Sequence, residues 1–298
     1  MKLKKSIEKA KQQREAAGRK SAEQESPAEK TALNLPSEIH VNEERSEFHR
    51  GDPTEHKEVC RKEWTSPVYS ESRSVALDSE KLAQNRVISL FPDVPEAEYY
   101  KVLRTNIQQR MRENNWNTIM ITSVQAGEGK TLTAVNLAIT FAKEFNQTVF
   151  LVDCDLKRQT VHKYLNLSSE KGIVDYLAND CPLKDLIIWP GIEKLTLISG
   201  GKTIPNSAEL LGSPKMKAFV SEIKSRYDDR YILFDTAPIL GWADAIAFAP
   251  LVDCILMVVE EGRTSIKDVN KALEMLPKEK FLGFVLNRRT SPLQKYYY

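Results

Sequence analysis

The stretch from residue 118 to residue 145 constrains the fold more than any other part of the chain. A short apolar run, Thr118-Ile-Met-Ile-Thr122, leads into a glycine-containing loop, and a helical pattern follows from about Thr131 to Phe145. In that pattern Val135, Ala138, Ile139 and Ala142 recur at helical spacing. A buried strand, a loop and a helix in this order predict a phosphate-binding turn at the end of a parallel strand.

The loop itself, Ser123-Val-Gln-Ala-Gly-Glu-Gly-Lys-Thr131, has the residues that phosphate binding needs. Glycines let backbone N–H groups turn inward around phosphate oxygens, and the helix that follows points its positive end to the same place. Lys130 is predicted to reach the β- and γ-phosphates, and the Thr131 hydroxyl to hold Mg²⁺. The predicted nucleotide-binding residues are Ala126, Gly127, Glu128, Gly129, Lys130, Thr131 and Leu132.

Apolar runs alternate with helix-like stretches over the rest of the chain. Further runs occupy residues 148–152, 195–198, 231–234, 254–259 and 281–286. Continuous apolar strands separated by helices are typical of a mostly parallel sheet with helices on both faces. The sequence therefore predicts an α/β fold of the nucleotide-binding type, with a deviant form of the phosphate loop because Val124 stands where the usual pattern has its first Gly.

Two further strand ends carry carboxylates. Asp153 and Asp155 close the run Val149-Phe-Leu-Val-Asp-Cys-Asp155, and Asp235 closes Tyr231-Ile-Leu-Phe-Asp235. Side chains two apart on a strand share a face, and ligands of open α/β sheets sit at the carboxyl ends of the strands. One carboxylate of the first pair is predicted to bind Mg²⁺ and the other to accept a proton from an attacking hydroxyl, while Asp235 resembles an acidic Walker B strand end.

The two ends of the chain differ from its middle. Residues 1–85 are polar and charged and are predicted to be a largely disordered region with a candidate docking segment. The domain is predicted to span residues 86–290. Residues 291–298 form a tail that ends Lys295-Tyr-Tyr-Tyr298, where Tyr296, Tyr297 and Tyr298 are either packed against the domain or free to accept phosphate.

Together these motifs resemble the bacterial tyrosine kinases of capsule and exopolysaccharide biosynthesis, over roughly residues 64–298. The resemblance includes the segment 153–158, the segment Pro205-Asn-Ser-Ala-Glu-Leu-Leu211 and the helix from Glu98 to Asn106. It implies an ATP- and Mg²⁺-dependent autokinase. The residues with implied catalytic roles are Lys130, Asp153 (the base), Asp155 and Asp235, and those with implied metal roles are Thr131, Asp155 and Asp235.

The resemblance also implies contacts outside the phosphate loop. Asn287, at the end of the last predicted strand, resembles an adenine-contacting position. Glu98, Lys101 and Arg104 resemble a helix through which subunits form a homo-oligomeric ring, so that each subunit's tyrosines enter its neighbour's site. Lys101 stands where that helix usually has its first Arg, which keeps the charge but loses the planar hydrogen-bonding fork.

The partners implied by the resemblance are a membrane chain-length regulator, or polysaccharide co-polymerase, as activator and a cognate tyrosine phosphatase. Nucleic acid is not expected, because the net charge is only +2. The longest nearly apolar run, residues 245–259, contains Pro250 and Asp253 and is too short to span a bilayer. The expected location is therefore cytoplasmic, with recruitment to the inner face of the plasma membrane.

Two other interpretations share the same motifs. A MinD- or ParA-like ATPase would use the nucleotide as a positioning switch, but Gln125 stands where that class has a signature Lys. A non-catalytic scaffold of polysaccharide assembly is opposed by the intact Lys130, Asp153, Asp155 and Asp235.

Overall fold

The computed structural model describes residues 73–290, except 76, 145 and 228. The predicted phosphoacceptors Tyr296–Tyr298, and the part of the predicted disordered and docking region that precedes residue 73, lie outside the described residues. Across the described part, every helix is too short or too polar to cross a membrane.

The described residues form one eight-stranded sheet with the order β1-β4-β5-β3-β6-β2-β7-β8. Neighbouring strands run parallel except β4 and β5, which pair antiparallel through Ile188 and Leu197. The predicted α/β fold with a mostly parallel sheet is confirmed. The strands are β1 Arg73–Ser74, β2 Thr118–Ser123, β3 Thr148–Cys154, β4 Ile188–Trp189, β5 Leu195–Ile198, β6 Arg230–Thr236, β7 Cys254–Glu260 and β8 Phe281–Asn287.

Helices cover both faces of the sheet, because the central strands bury both sets of alternating side chains. The helices are α1 Ser79–Gln84, α2 Ala97–Glu113, α3 Lys130–Ala142, α4 Val161–Tyr164, α5 Ile173–Asn179, α6 Ser207–Leu211, α7 Pro214–Ser225, α8 Asp244–Phe248 and α9 Ile266–Glu274. On β2, Ile119 and Ile121 pack in one apolar cluster with helices α2 and α3, and Met120 packs in a second cluster with α5, α7, α8 and α9.

The described structure includes regular elements upstream of the predicted boundary at residue 86. Strand β1 pairs with β4, and Leu82 of α1 is buried in the apolar cluster on the α3 side of the sheet. The connection to the core passes through Asn136 of α3, whose Nδ2 donates to the carbonyl of Arg86 (3.2 Å) and whose Oδ1 accepts from the N–H of Ser89 (2.9 Å). One buried amide on α3 thus fixes the segment that precedes α2.

Asp253, at the start of β7, ties together the amino ends of two neighbouring strands. Its Oδ2 accepts hydrogen bonds from the N–H groups of Asn117 (3.0 Å) and Thr118 (3.1 Å) and from the Thr118 hydroxyl (2.9 Å). Its Oδ1 pairs with Lys224 of α7. Burial raises the pKa of this carboxyl, but the hydrogen bonds from Lys224, Asn117 and Thr118 outweigh it, so the pKa lies below its ordinary value.

We expect Asp253→Ala to lower the free energy of unfolding by about 2 kcal/mol at pH 7, because two backbone N–H groups lose their acceptor. Since the folded pKa is lowered, this contribution is present above the unfolded pKa and is lost as the pH falls through the folded pKa. Urea unfolding should therefore show a difference that shrinks below about pH 4. Asp185→Ala, at an exposed carboxylate, is the control. A difference that does not change with pH would contradict the assignment.

Candidate active site

The phosphate loop joins β2 to α3 and takes its shape from two glycines. Gly127 and Gly129 have φ angles of 89° and 92°, a conformation that disfavours residues with a Cβ. A Cβ on Gly129 would lie 2.1 Å from Nδ2 of Asn287. Val124, at the deviant position, is fully buried, and its carbonyl accepts from the N–H of Leu240 (3.1 Å). Val124, which stands at the position of the first Gly in the usual phosphate-loop pattern, is therefore part of the packed core.

Glu128 closes the loop on itself. Its buried carboxylate accepts from the N–H of Gln125 (2.8 Å) and from the hydroxyl of Thr264, which follows β7. The Glu128 carbonyl accepts from Nδ2 of Asn287 (2.7 Å). Asn287 therefore lies against the phosphate loop and braces its backbone, and its contact with adenine stays a prediction. Sequence reasoning missed Thr264, because no spacing rule connects it to the loop.

Lys130 lies at the centre of a buried cluster of charges. Its Nζ is 2.6 Å from Oδ2 of Asp155 and 3.5 Å from Oδ1 of Asp235. The Thr131 hydroxyl donates to Oδ2 of Asp235 (2.6 Å). The ends of β2, β3 and β6 thus bring the predicted lysine, threonine and two of the three predicted aspartates into direct contact.

Asp153 lies in the same cluster but is held mainly by backbone. Its Oδ2 accepts from the N–H groups of Thr160 and Val161 at the start of α4, and its Oδ1 accepts from the N–H of Asp155, all at 3.2 Å. The side chain is fully buried. Its carboxylate therefore fixes the segment between β3 and α4 as well as lying next to the other charges.

The cluster perturbs its own pKa values. Burial, with repulsion from Asp235, raises the pKa of Asp153 well above its ordinary range. Burial also raises the pKa of Asp235 to about 6, against the attraction of Lys130. For Lys130, burial lowers the pKa, but Asp235 and Asp155 outweigh it and the net shift is upward. The ammonium thus stays charged while the carboxyls compete for protons, which is typical of a site built to hold a further cation.

The donor set fits Mg²⁺. Oδ1 of Asp235 is buried and accepts no hydrogen bond, and it lies beside the Thr131 hydroxyl and Asp155. Within residues 73–290, as far as they are described, there is no cluster of three or more His, Cys, Asp or Glu side chains arranged for a metal. A closed protein cage is not what Mg²⁺ needs, because it is usually bound by one or two carboxylates together with substrate phosphates.

The three charges predicted for subunit assembly do not share one environment. Glu98 and Lys101 form an exposed ion pair (2.8 Å) on α2. Arg104 instead turns inward, where its guanidinium pairs with Glu144 (2.5 Å) and donates to the carbonyl of Thr140 at the end of α3 (3.2 Å). The structure thus places Glu98 and Lys101 on the surface and uses Arg104 to attach α2 to α3.

A phosphate loop at the end of β2, with acidic ends on the adjacent strand β6 and on β3 next to it, defines a nucleotide-binding P-loop domain. Residues 116–280 match the family model described as an AAA domain. The Tyrosine-protein kinase YwqD of Bacillus subtilis (strain 168) is 34% identical over 209 residues, which cover 70% of this chain and 87% of that protein. The chain belongs to the bacterial tyrosine-protein kinases.

Solved structures agree with this assignment. The kinase domain of Escherichia coli tyrosine kinase ETK matches with a TM-score of 0.64 and 29% identity, covering 71% of this chain and 84% of that one. The chimerical protein CapA2B2 matches with a TM-score of 0.64 and 27% identity, covering 76% and 96%. The predicted enzyme class, protein-tyrosine kinase, is confirmed by these relatives.

We expect Asp235→Asn to stabilise the protein in the absence of nucleotide at pH 7. The Asp235 pKa is raised from 3.8 to about 6, so its contribution to stability is present below the unfolded pKa and falls as the pH rises through the folded pKa. The Asn side chain does not titrate, so the variant does not lose this stability as the pH rises. Its free energy of unfolding should exceed the wild-type value by on the order of 2 kcal/mol at pH 7 and by much less at pH 4.

Denaturant unfolding at both pH values measures this difference, with the exposed Asp93→Asn as the matched control. Equal destabilisation of Asp235→Asn at pH 4 and pH 7 would show that the carboxylate stabilises the domain, contrary to the expectation.

Proposed function

We propose that this chain is an ATP-dependent protein-tyrosine autokinase that transfers the γ-phosphate to Tyr296, Tyr297 or Tyr298 of a neighbouring subunit. The observation that carries the proposal is the contact of Lys130 with Asp155 and Asp235 at the mouth of the phosphate loop. A loop that binds only phosphate needs the lysine but not several buried carboxylates beside it. Carboxylates in that place suit a bound cation and proton removal from a hydroxyl.

Each residue then has one role. The backbone of residues 126–132 and the Lys130 ammonium hold the phosphates of ATP, and Asn287 lies beside the base. Thr131, Asp155 and Asp235 would hold Mg²⁺, which would neutralise charge on the transferred phosphoryl group. Asp153 is the proposed base. Its raised pKa favours proton uptake, and its oxygens are aimed by three backbone N–H groups.

Subunits are proposed to assemble through the surface that carries Glu98 and Lys101. These side chains are exposed, as are the neighbouring Tyr99 and Val102, so α2 presents both charge and apolar area to a partner. Arg104 would contribute indirectly, by holding α2 in position through Glu144. A homo-oligomeric ring would bring the tail of one subunit to the active site of the next.

The biological role proposed for the kinase is control of capsule or exopolysaccharide polymerisation or export, at the cytoplasmic face of the plasma membrane. A membrane chain-length regulator would recruit and activate it, and a cognate tyrosine phosphatase would reverse its phosphorylation. The similarity to the kinase relatives and to the chimerical protein CapA2B2 supports this role. The first 85 residues are the proposed docking segment.

We expect Lys130→Met to lower the rate of tyrosine phosphorylation roughly 100- to 1,000-fold, since one charged donor to the transferred group is lost. The purified protein is incubated with ATP and Mg²⁺, with and without the candidate activator, and phosphate is located by mass spectrometry. Lys217→Met, at an exposed position on α7, is the matched control. ATP hydrolysis without phosphotyrosine under both conditions would favour the nucleotide-dependent switch, and neither activity would favour the scaffold.

A further inference from the structure

An exposed tryptophan lies on the edge of the sheet where the carboxylates meet. Trp242 follows the end of β6 by six residues, and 42% of it is exposed. Among the described residues most large aromatic side chains are packed in the two cores, and nothing in the proposed chemistry uses this one. An indole left in solvent beside a catalytic cluster is a candidate contact for a substrate.

The loop that carries Trp242 is attached to the phosphate loop. The N–H of Ile239 donates to the carbonyl of Ser123 (2.8 Å), and the N–H of Leu240 donates to that of Val124 (3.1 Å). The backbone two and three residues before Trp242 is therefore bonded to the start of the phosphate loop.

A lysine in the turn that follows β3 contacts the indole. The Nζ of Lys157 lies 5.3 Å from the ring centroid of Trp242 and also donates to the carbonyl of Pro205. Lys157 follows Asp155 by two residues, and the turn between them is set by the N–H of Arg158 donating to Oδ1 of Asp155 (2.9 Å). The pair therefore combines an aromatic surface with a positive charge next to β3 and β6.

We propose that Trp242, positioned by Lys157, is a specificity-determining residue that stacks with a tyrosine ring next to the acceptor tyrosine of a second copy of this chain. The inference rests on the proposed function. An acceptor hydroxyl that reaches Asp153 must enter past the ends of β3 and β6. The segments that follow these strands contain Lys157 and Trp242. Because successive residues of an extended chain are about 3.5 Å apart, consecutive tyrosines place a second ring at the rim when one enters the site.

The nucleotide base is the other aromatic group that could stack on an indole, and the sheet order argues against it. Asn287, beside the phosphate loop, ends β8 on one side of β2, with β7 between them. Trp242 follows β6, on the opposite side of β2. The acceptor would therefore contact the Trp242 indole on one side of the phosphate loop, and the nucleotide base would contact the Asn287 amide on the other side.

The test is a comparison of Michaelis constants. The kinase is the full chain with Tyr296–Tyr298 changed to Phe, so that it cannot accept phosphate on those positions, and the acceptor is the full Lys130→Met chain. Trp242→Ala should raise the KM for the acceptor about 10-fold, with kcat and the KM for ATP changed less than twofold. Trp242→Phe, which keeps a ring, should restore most of the loss.

Tyr227→Ala is the matched control. Tyr227 is also an exposed aromatic next to a cation, with Arg230 4.0 Å from its ring, but it precedes β6 and so lies at the opposite edge of the sheet. It should leave both constants unchanged. A Trp242→Ala variant with an unchanged KM for the acceptor, or with a raised KM for ATP instead, would overturn the inference while the proposed function stands. No phosphotyrosine with the unmodified Trp242 would overturn both.

Discussion

One buried ammonium group contacts two of the three buried carboxylates around it, and this ion pairing governs the electrostatics of the site. Asp153, Asp155 and Asp235 are all nearly or fully buried, and Lys130 is the cation that lies among them. Charges in a poorly solvated interior are stable only when they are paired or protonated, and here the carboxylates outnumber the lysine. Burial raises the pKa of both Asp153 and Asp235, and repulsion from the neighbouring carboxylates raises it further. Binding of a cation together with a phosphate group would therefore stabilise the buried charges of this site.

The sheet creates that contact. Asp153 on β3 lies directly opposite Asp235 on β6, and β6 in turn pairs with β2, which leads into the phosphate loop. All three strands are parallel, so their carboxyl ends meet at one edge. The apolar residues of the same strands pack on both faces and fix the register. A one-residue shift in the register of β6 would point the Asp235 side chain into an apolar layer. The core and the site therefore depend on the same strand pairing.

Much of this could be predicted from the sequence, because it depends on local patterns. The apolar strands, the glycine loop and the acidic strand ends are contiguous in the chain, and the rule that parallel strands share an edge brings them together. The structure adds contacts between distant residues. Asn287 is 159 residues from the Glu128 carbonyl that it contacts, and Arg104 leaves the predicted face of α2 for Glu144. The periodicity of α2 does not show where a partner that follows α3 will lie.

The separation of the two sides of the phosphate loop explains how one small site can serve two substrates. On the β8 side, Asn287 fills the space that a Cβ on Gly129 would need, so the loop and the base-side residue fit each other closely. On the β6 side, the backbone of residues 239 and 240 bonds to the start of the same loop, and Trp242 follows. A movement of the loop on nucleotide binding would thus reach the acceptor side through hydrogen bonds. In the proposed autokinase, these hydrogen bonds would couple the contact between Trp242 and the acceptor to the nucleotide.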